Sequence, residues 1–140
     1  MIILDTSGLL ACIDESQRWH QTAVSALQSE RPPYLLSPFV LAELDYLLAK
    51  RVGPHAQRLL VEEVARGAFR LETFENQDIG LALSVLDQYS DLNIGIADAS
   101  LVVLSQRHRL NTILTLDERH FRVLKAGDGR SFRLLPSEGR

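Results

Sequence analysis

The chain has 140 residues, of which 46% are hydrophobic and 24% charged, and its formal net charge is −3. This composition is that of an ordinary globular protein and excludes disordered and fibrous classes, and the length predicts a single domain over residues 1–140. Residues 1–100 carry 7 basic and 14 acidic side chains, whereas residues 101–140 carry 8 basic and 4 acidic ones. The net charge alone argues against a nucleic-acid partner, but the basic C-terminal part keeps that question open.

Cysteine usage and hydropathy exclude further classes of protein. Cys12 is the only cysteine, which excludes an intramolecular disulfide and a thiolate metal site. No stretch approaches the ~20 apolar residues of a membrane span. The apolar start of the chain is interrupted at Asp5 and has no basic segment before it, which argues against a signal peptide. We therefore expect a cytoplasmic protein with no membrane partner.

Short apolar runs alternate with amphipathic segments along the chain, without an internal repeat or a linker. In chain order, the pattern predicts a strand at 1–4, helices at 7–13 and 17–29, a strand at 34–36, helices at 39–51 and 55–66, a strand at 69–74, helices at 77–89 and 97–109, a strand at 112–116 and an edge strand at 132–135. Ser37 and Pro38 predict the start of the third helix, as an N-cap followed by a first-turn proline. Strands separated by helices predict right-handed crossovers and a mainly parallel sheet covered on both faces.

Acidic residues occur where such a sheet places its chemistry, outside the carboxyl ends of the strands. Asp5 and Asp117 directly follow predicted strands, and Asp98 opens a predicted helix. Glu43 lies within the third helix, and its helical angle directs it toward the apolar side, whereas Asp45 points further from that stripe. Each aspartate could also be only a helix N-cap, and Glu43 could be half of a surface ion pair.

Four converging carboxylates predict a bound cation. Crowded carboxylates repel one another, and a hard divalent ion relieves this because Mg²⁺ and Mn²⁺ prefer oxygen ligands. Such an ion suits phosphoryl chemistry, since it activates water and stabilises the leaving oxygen. The histidines are scattered in sequence without a zinc-ligand spacing, and we expect all four to be surface or packing residues: His20, His55, His108 and His120.

Four segments resemble the PIN-domain ribonucleases. They are Ile-Leu-Asp-Thr-Ser-Gly-Leu-Leu at 3–10, Val-Leu-Ala-Glu-Leu at 40–44, Ile-Ala-Asp-Ala-Ser-Leu at 96–101, and Thr-Ile-Leu-Thr-Leu-Asp at 112–117 with His-Phe at 120–121. Their order and spacing are similar to the family over essentially the whole chain. Within the family, the chain most resembles the toxins of bacterial VapBC toxin–antitoxin pairs.

The resemblance implies a three-layer α/β/α sandwich with a mainly parallel central sheet, in which four acids bind Mg²⁺ or Mn²⁺ and hydrolyse single-stranded or looped RNA. Three of these acids are expected to hold the metal, directly or through water, and the fourth, Glu43, to complete the shell or orient the attacking water. The family's acidic positions fall on Asp5, Glu43, Asp98 and Asp117. Thr6 and Thr115 stand where family members carry polar side chains that support the acids, although a strand-end threonine could also cap the backbone.

The same resemblance implies a homodimer that is neutralised by a VapB-like antitoxin, whose C-terminal segment lies across the toxin near the site. Segments 17–29 and 39–51 carry apolar residues that could line such a groove, and we expect most of them to fill the core. Seven C-terminal basic residues are candidates for RNA phosphate contacts: Arg107, Arg109, Arg119, Arg122, Lys125, Arg130 and Arg133.

Two other functions stay open at this point. One is a different Mg²⁺-dependent phosphohydrolase, such as a phosphatase with an aspartyl nucleophile, although Ser7 stands where such enzymes usually carry a second acid. The other is a PIN-like module that binds RNA or a protein partner without catalysis.

Overall fold

The computed structural model describes residues 1–139 and contains one five-stranded sheet. The strands are short: β1 (Ile2–Leu4), β2 (Tyr34–Leu36), β3 (Arg70–Leu71), β4 (Thr112–Leu114) and β5 (Arg133–Leu135). They are hydrogen-bonded in the order β3-β2-β1-β4-β5, and every pair is parallel. The sheet is therefore parallel throughout, and β5 forms the edge strand that the sequence predicts.

Helices flank this sheet, which confirms the predicted α/β/α architecture. Their bounds are α1 (Thr6–Ile13), α2 (His20–Ser29), α3 (Pro38–Arg51), α4 (Pro54–Ala65), α5 (Asn76–Gln88), α6 (Ile96–His108) and α7 (Glu118–Phe121), followed by a 3₁₀ turn at Ser137–Gly139. Ser37 caps α3 as expected, because its hydroxyl accepts a 3.2 Å hydrogen bond from the Phe39 amide. None of the helices in residues 1–139 combines the length and the hydropathy needed to cross a membrane.

The central strand β1 decides where the site lies. Its side chains Ile2, Ile3 and Leu4 are fully buried, because layers of helix cover both faces of the sheet. The chain leaves β1 for β2 on one side, and β4 pairs with β1 on the other side. The strand order thus reverses between β1 and β4, and parallel α/β sheets bind their ligands in the crevice at such a point.

A glycine allows α1 to approach β4 closely at this crevice. A Cβ atom at Gly8 would lie 2.4 Å from the carbonyl oxygen of Leu114, so no larger residue fits without displacing the helix or the strand. The approach brings Ser7 to Thr115, and their hydroxyl oxygens lie 3.2 Å apart.

Two predicted strands are shorter than the sequence pattern indicates. The strand expected at 69–74 is reduced to Arg70–Leu71, since the following Glu72 turns inward to an ion pair with Arg107 rather than continuing the edge of the sheet. The strand expected at 112–116 ends at Leu114, because side-chain hydroxyls take over the backbone hydrogen bonds beyond it.

Candidate active site

All four predicted acids line one cavity of about 590 Å³ at the crevice between β1 and β4. Asp5 and Asp117 reach it from the ends of adjacent strands, Asp98 from the first turn of α6, and Glu43 from α3. The topology therefore brings together residues that are up to 112 positions apart in sequence. It does so at the edge of the sheet where α/β proteins place their ligands.

Asp5 is the most buried of these acids, with 5% of its surface exposed. Although it occupies the N-cap position of α1, its side chain makes no capping hydrogen bond. Its Oδ2 atom instead accepts hydrogen bonds from the hydroxyls of Thr115, at 2.7 Å, and Ser7, at 3.1 Å. Burial raises the pKa of Asp5 to about 6; the charge of Asp98 adds to this effect, and the hydrogen bonds oppose it.

The other acids interact electrostatically within the same cavity. Burial raises the pKa of Asp98, His120 lowers it, and the negative charges of Asp117 and Glu43 raise it further. Asp117 also caps the short helix α7, since its Oδ1 accepts from the His120 amide at 3.4 Å. The helix-cap interpretation is thus correct for Asp117, and the same side chain lines the acidic cavity.

Glu43 does not face the apolar side of α3, and the sequence-based expectation of its direction is wrong. The helix buries Val40, Leu44 and Leu48 at four-residue intervals, and Glu43 is exposed beside this stripe at the wall of the cavity. Its neighbour Asp45 does not line the cavity, and its carboxylate accepts a 2.9 Å hydrogen bond from the Gln57 side chain.

The two predicted supporting threonines have different surroundings. Thr115 links two acids, because its hydroxyl donates to Asp5 and accepts from the Asp117 amide at 2.9 Å. Thr6 lines the cavity, and its buried hydroxyl oxygen has no hydrogen-bond partner within the described residues. Ser7, which we did not predict as a supporting residue, donates to Asp5 and accepts from the Leu116 amide at 2.9 Å. A signal for it was present in the sequence, as a hydroxyl two positions beyond an acid that ends a strand.

His120 belongs to the site, which corrects the expectation that it is a surface or packing residue. Its Nδ1 atom lies 3.2 Å from Asp117 Oδ2 and 3.5 Å from Asp98 Oδ2, and its side chain is 17% exposed. This atom is buried and has no partner in hydrogen-bond geometry within residues 1–139. The available signal was its place three residues after Asp117, which puts both side chains on one turn of a helix.

The other histidines agree with the expected structural roles. His20 contacts the Ala11 carbonyl oxygen at 2.8 Å, His108 pairs with Glu72, and His55 is exposed on α4.

Arg51 is the basic residue that lines the acidic cavity. Phe39, Glu43, Leu47 and Arg51 all line it, because residues four apart on α3 share one helical face. Among the described residues, no ion pair engages Arg51. By contrast, four of the predicted C-terminal candidates for RNA contact are paired with acids: Arg107, Arg122, Arg130 and Arg133.

The donor set fits a hydrated divalent cation better than a closed metal cage. Within residues 1–139, no three His, Cys, Asp or Glu side chains are arranged to hold a metal ion by themselves. The four acids supply only oxygen donors, and Mg²⁺ is usually bound through one or two carboxylates while it keeps several waters. The raised pKa values of Asp5 and Asp98 indicate a surplus of negative charge that such an ion would offset.

Comparisons with known proteins agree with this geometry. Residues 2–126 match the PIN domain family. Ribonuclease VapC26 from Mycobacterium tuberculosis is 42% identical over 135 residues, which are 96% of this chain and 100% of that protein. These two matches confirm the resemblance that the four sequence segments predict.

Solved structures share the fold. The crystal structure of Mycobacterium tuberculosis VapC20, described as a sarcin-ricin loop cleaving toxin, has a TM-score of 0.75 at 22% identity, covering 81% of this chain and 87% of that one. VapBC2 from Rickettsia felis, bound to a DNA fragment from its promoter, has a TM-score of 0.66 at 17% identity, covering 96% and 98%. A toxin–antitoxin complex from Klebsiella pneumoniae gives 0.67 at 19%, covering 89% and 92%. The chain therefore belongs to the PIN-domain family, among its VapC ribonucleases.

Proposed function

We propose that this chain is a divalent-metal-dependent endoribonuclease, the toxin of a type II toxin–antitoxin pair, and that it hydrolyses RNA phosphodiester bonds at the acidic cavity. The observation that carries this proposal is the convergence of four carboxylates at the crevice between β1 and β4. Family membership confirms the expectation of an RNA-cleaving hydrolase of this class. The assignment of individual residues and of the ion is our proposal.

The metal that we assign is Mg²⁺ or Mn²⁺. VapC nucleases of the PIN family generally depend on a divalent metal, and a site with only carboxylate oxygens favours the hard ions of that class. Asp5, Asp98 and Asp117 hold the ion, directly or through water. When bound, the ion lowers the pKa of a coordinated water and stabilises the charge that develops on the phosphate.

The protein side chains hold and orient the reacting groups. The hydroxyls of Thr115 and Ser7 fix the Asp5 carboxylate, so its geometry is set before the substrate arrives. Glu43 is exposed at the cavity wall and accepts a proton from the attacking water or orients that water. His120 contacts Asp98 and Asp117 and keeps their carboxylates in position.

Arg51 binds a phosphate that flanks the reacting one. Glu43 and Arg51 are eight residues apart on α3, which separates their Cα atoms by about 12 Å along the helix axis. A cation at this distance from the acids binds the RNA backbone beside the cleaved bond rather than at it. This contact also provides the positive charge that a polyanionic substrate needs near four carboxylates.

The remaining assignments follow from the same function. We propose that residues 1–140 form one domain, that the protein forms a homodimer, and that it works in the cytoplasm, where its RNA substrate lies. We also propose a VapB-like antitoxin as its partner. Support for this partner comes from structural relatives described as toxin–antitoxin complexes.

One experiment tests the nuclease and its metal site together. Purified protein is incubated with cellular RNA in Mg²⁺ or Mn²⁺, with EDTA in a parallel reaction, and the products are mapped by sequencing RNA ends. We expect cleavage that EDTA abolishes and that Asp98→Asn lowers by about 100-fold or more, as for other groups that stabilise developing charge. Asp45→Asn is the matched control, because this acid lies outside the cavity. Equal cleavage by Asp98→Asn and wild type would overturn the assignment of the site.

The alternative of an aspartyl-phosphate enzyme is disfavoured by a specific contact. Ser7 stands at the position of the expected second acid, and its hydroxyl binds the Asp5 carboxylate. Asp5 is also buried, whereas a nucleophile has to reach the phosphorus atom. The remaining alternative, a module that binds without catalysis, predicts no cleavage under any metal condition.

A further inference from the structure

A second cavity lies on the far side of the chain segment that follows β4. It has a volume of about 240 Å³ and is lined by Trp19, Thr115, Leu116, Glu118, Pro136 and Ser137. Thr115 donates its hydroxyl hydrogen to Asp5, and Asp117, one residue beyond Leu116, lines the acidic cavity. Residues 115–117 therefore separate the two cavities by the width of a single chain segment.

Trp19 is the single tryptophan of the chain, and 36% of it is exposed at this second cavity. The guanidinium carbon of Arg18 lies 4.9 Å from the centroid of the indole ring. An aromatic ring and a cation side by side are the two groups that hold single-stranded nucleic acids, because bases stack on the ring and phosphates pair with the cation.

Hydrogen bonds on both sides of Trp19 hold its chain segment in place. Before it, the Asp14 carboxylate accepts from the amide and the hydroxyl of Ser16, at 3.0 and 2.7 Å. After it, His20 Nδ1 contacts the Ala11 carbonyl oxygen at 2.8 Å. The ring is therefore positioned before any ligand binds, which reduces the entropy lost on binding.

The polar wall of the second cavity is compatible with a polyanion. Its acid, Glu118, forms a 2.6 Å ion pair with Arg122 and accepts a 2.8 Å hydrogen bond from Ser137. The positive charge of Arg122 offsets that of the carboxylate. A carboxylate has about four acceptor positions, so Glu118 can still accept a hydrogen bond from the edge of a base.

We propose that this cavity is a subsite for one unpaired base of the RNA substrate, next to the cleaved bond. The base stacks on Trp19, and Arg18 binds the adjoining phosphate. This inference rests on the proposed function, because it concerns the same RNA. Stacking of unpaired bases on aromatic side chains is the usual way in which proteins recognise single-stranded and looped RNA.

The single tryptophan provides a direct readout of this subsite. A fluorescein-labelled single-stranded oligoribonucleotide of mixed sequence is titrated, in Mg²⁺, with the full-length Asp98→Asn protein, which binds without cleaving. Anisotropy of the label measures RNA binding, and an unlabelled copy of the RNA is used to follow tryptophan fluorescence. We expect the tryptophan emission to be quenched and to saturate at the same RNA concentration as the anisotropy.

Matched variants separate stacking from other effects. Trp19→Ala is expected to weaken RNA binding about 5- to 150-fold, the range measured for loss of one stacked base, whereas Trp19→Phe retains an aromatic face and binds within a few-fold of the parent. Tyr46→Ala is the control, because Tyr46 is another exposed aromatic residue beside a cation, Lys50, and lines neither cavity. Circular dichroism establishes that each variant is folded.

The outcomes distinguish this subsite from the nuclease itself. Saturating anisotropy without a change in tryptophan emission overturns the subsite and leaves the nuclease intact. Quenching by the cognate antitoxin but not by RNA also overturns it and assigns the cavity to the protein partner. If wild type cleaves no RNA and the Asp98→Asn protein binds none, the proposed function fails and the subsite fails with it.

Discussion

The hydroxyl of Thr115 donates a 2.7 Å hydrogen bond to Oδ2 of Asp5, a residue 110 positions earlier in the chain. The same oxygen accepts a 2.9 Å bond from the Asp117 amide, so one side chain fixes two of the four acids. Thr115 is almost completely buried, and water therefore does not compete for these bonds. The geometry of the acidic cavity consequently depends on the pairing of β1 with β4.

Asp5 makes the metal-free protein less stable at neutral pH than at acidic pH. Burial raises its pKa from 3.8 to about 6, which means that the folded state holds the proton more tightly than the unfolded chain does. The resulting stabilisation is complete below pH 4 and is lost as the pH rises through 6. We expect Asp5→Asn to gain stability over wild type between pH 4 and pH 7.5, by up to about 3 kcal/mol.

Urea unfolding in EDTA at the two pH values measures this gain, with Asp91→Asn as a control at an exposed acid. A difference between Asp5→Asn and wild type that is the same at both pH values would contradict the assignment of the buried charge.

Arg51→Gln is expected to raise KM for RNA about 10-fold and to change kcat much less, because a contact to a flanking phosphate is made equally in the ground state and the transition state. The salt dependence of RNA binding should fall by about one counterion. Steady-state kinetics at several salt concentrations measure both effects. Lys50→Gln is the matched control, since Lys50 is the neighbouring cation and contacts Tyr46 outside the cavity. Similar effects of the two substitutions would remove Arg51 from the site.

His120→Asn is expected to lower activity about 10- to 100-fold, which is typical when a residue that orients metal ligands is lost. His120 lowers the pKa of Asp98, so its removal makes that acid harder to ionise. The acidic limb of the kcat/KM profile should therefore move to higher pH. His55→Asn, at an exposed position on α4, provides the control. A uniform loss of activity with an unchanged pH profile would indicate a structural role only.

Gly8 and Gly80 are both helical glycines and should respond to alanine in opposite directions. A Cβ at Gly8 would lie 2.4 Å from the Leu114 carbonyl oxygen, whereas nothing lies within 4 Å of one at Gly80. We expect Gly8→Ala to destabilise the protein by about 1–3 kcal/mol through overpacking, and to lower activity because α1 carries Ser7. Gly80→Ala should stabilise it by about 0.5–1 kcal/mol, the usual helix preference. Urea unfolding measures both, and stabilisation by Gly8→Ala would contradict the close approach of α1 and β4.

The order and type of the main elements were predictable because they depend on patterns within a few residues. Apolar runs such as Ile2–Leu4 predict buried strands, and the Ser37-Pro38 pair predicts the start of α3. The four acids could be proposed for the same reason, since Asp5 and Asp117 follow such runs directly. The four-residue helix α7 is too short for a periodic pattern and was not predicted.

The direction of Glu43 and the place of His120 were not predictable in this way. Helical periodicity locates the apolar stripe of α3, but only the position of the neighbouring elements decides that a cavity borders this stripe. His120 carries no ligand spacing in sequence, and it meets Asp98 only because α6 and α7 lie at the same crevice.

The sequence by itself determined an α/β chain with acids at its strand ends, because local periodicity and residue type carry that information. Only the tertiary structure decided that β1 lies between β2 and β4, and that Ser7, Arg51 and His120 join the acids in and around one cavity. It also decided the raised pKa of Asp5. The physical reason is that strand order, burial and electrostatic coupling arise between residues that are distant in sequence, and no local pattern specifies them.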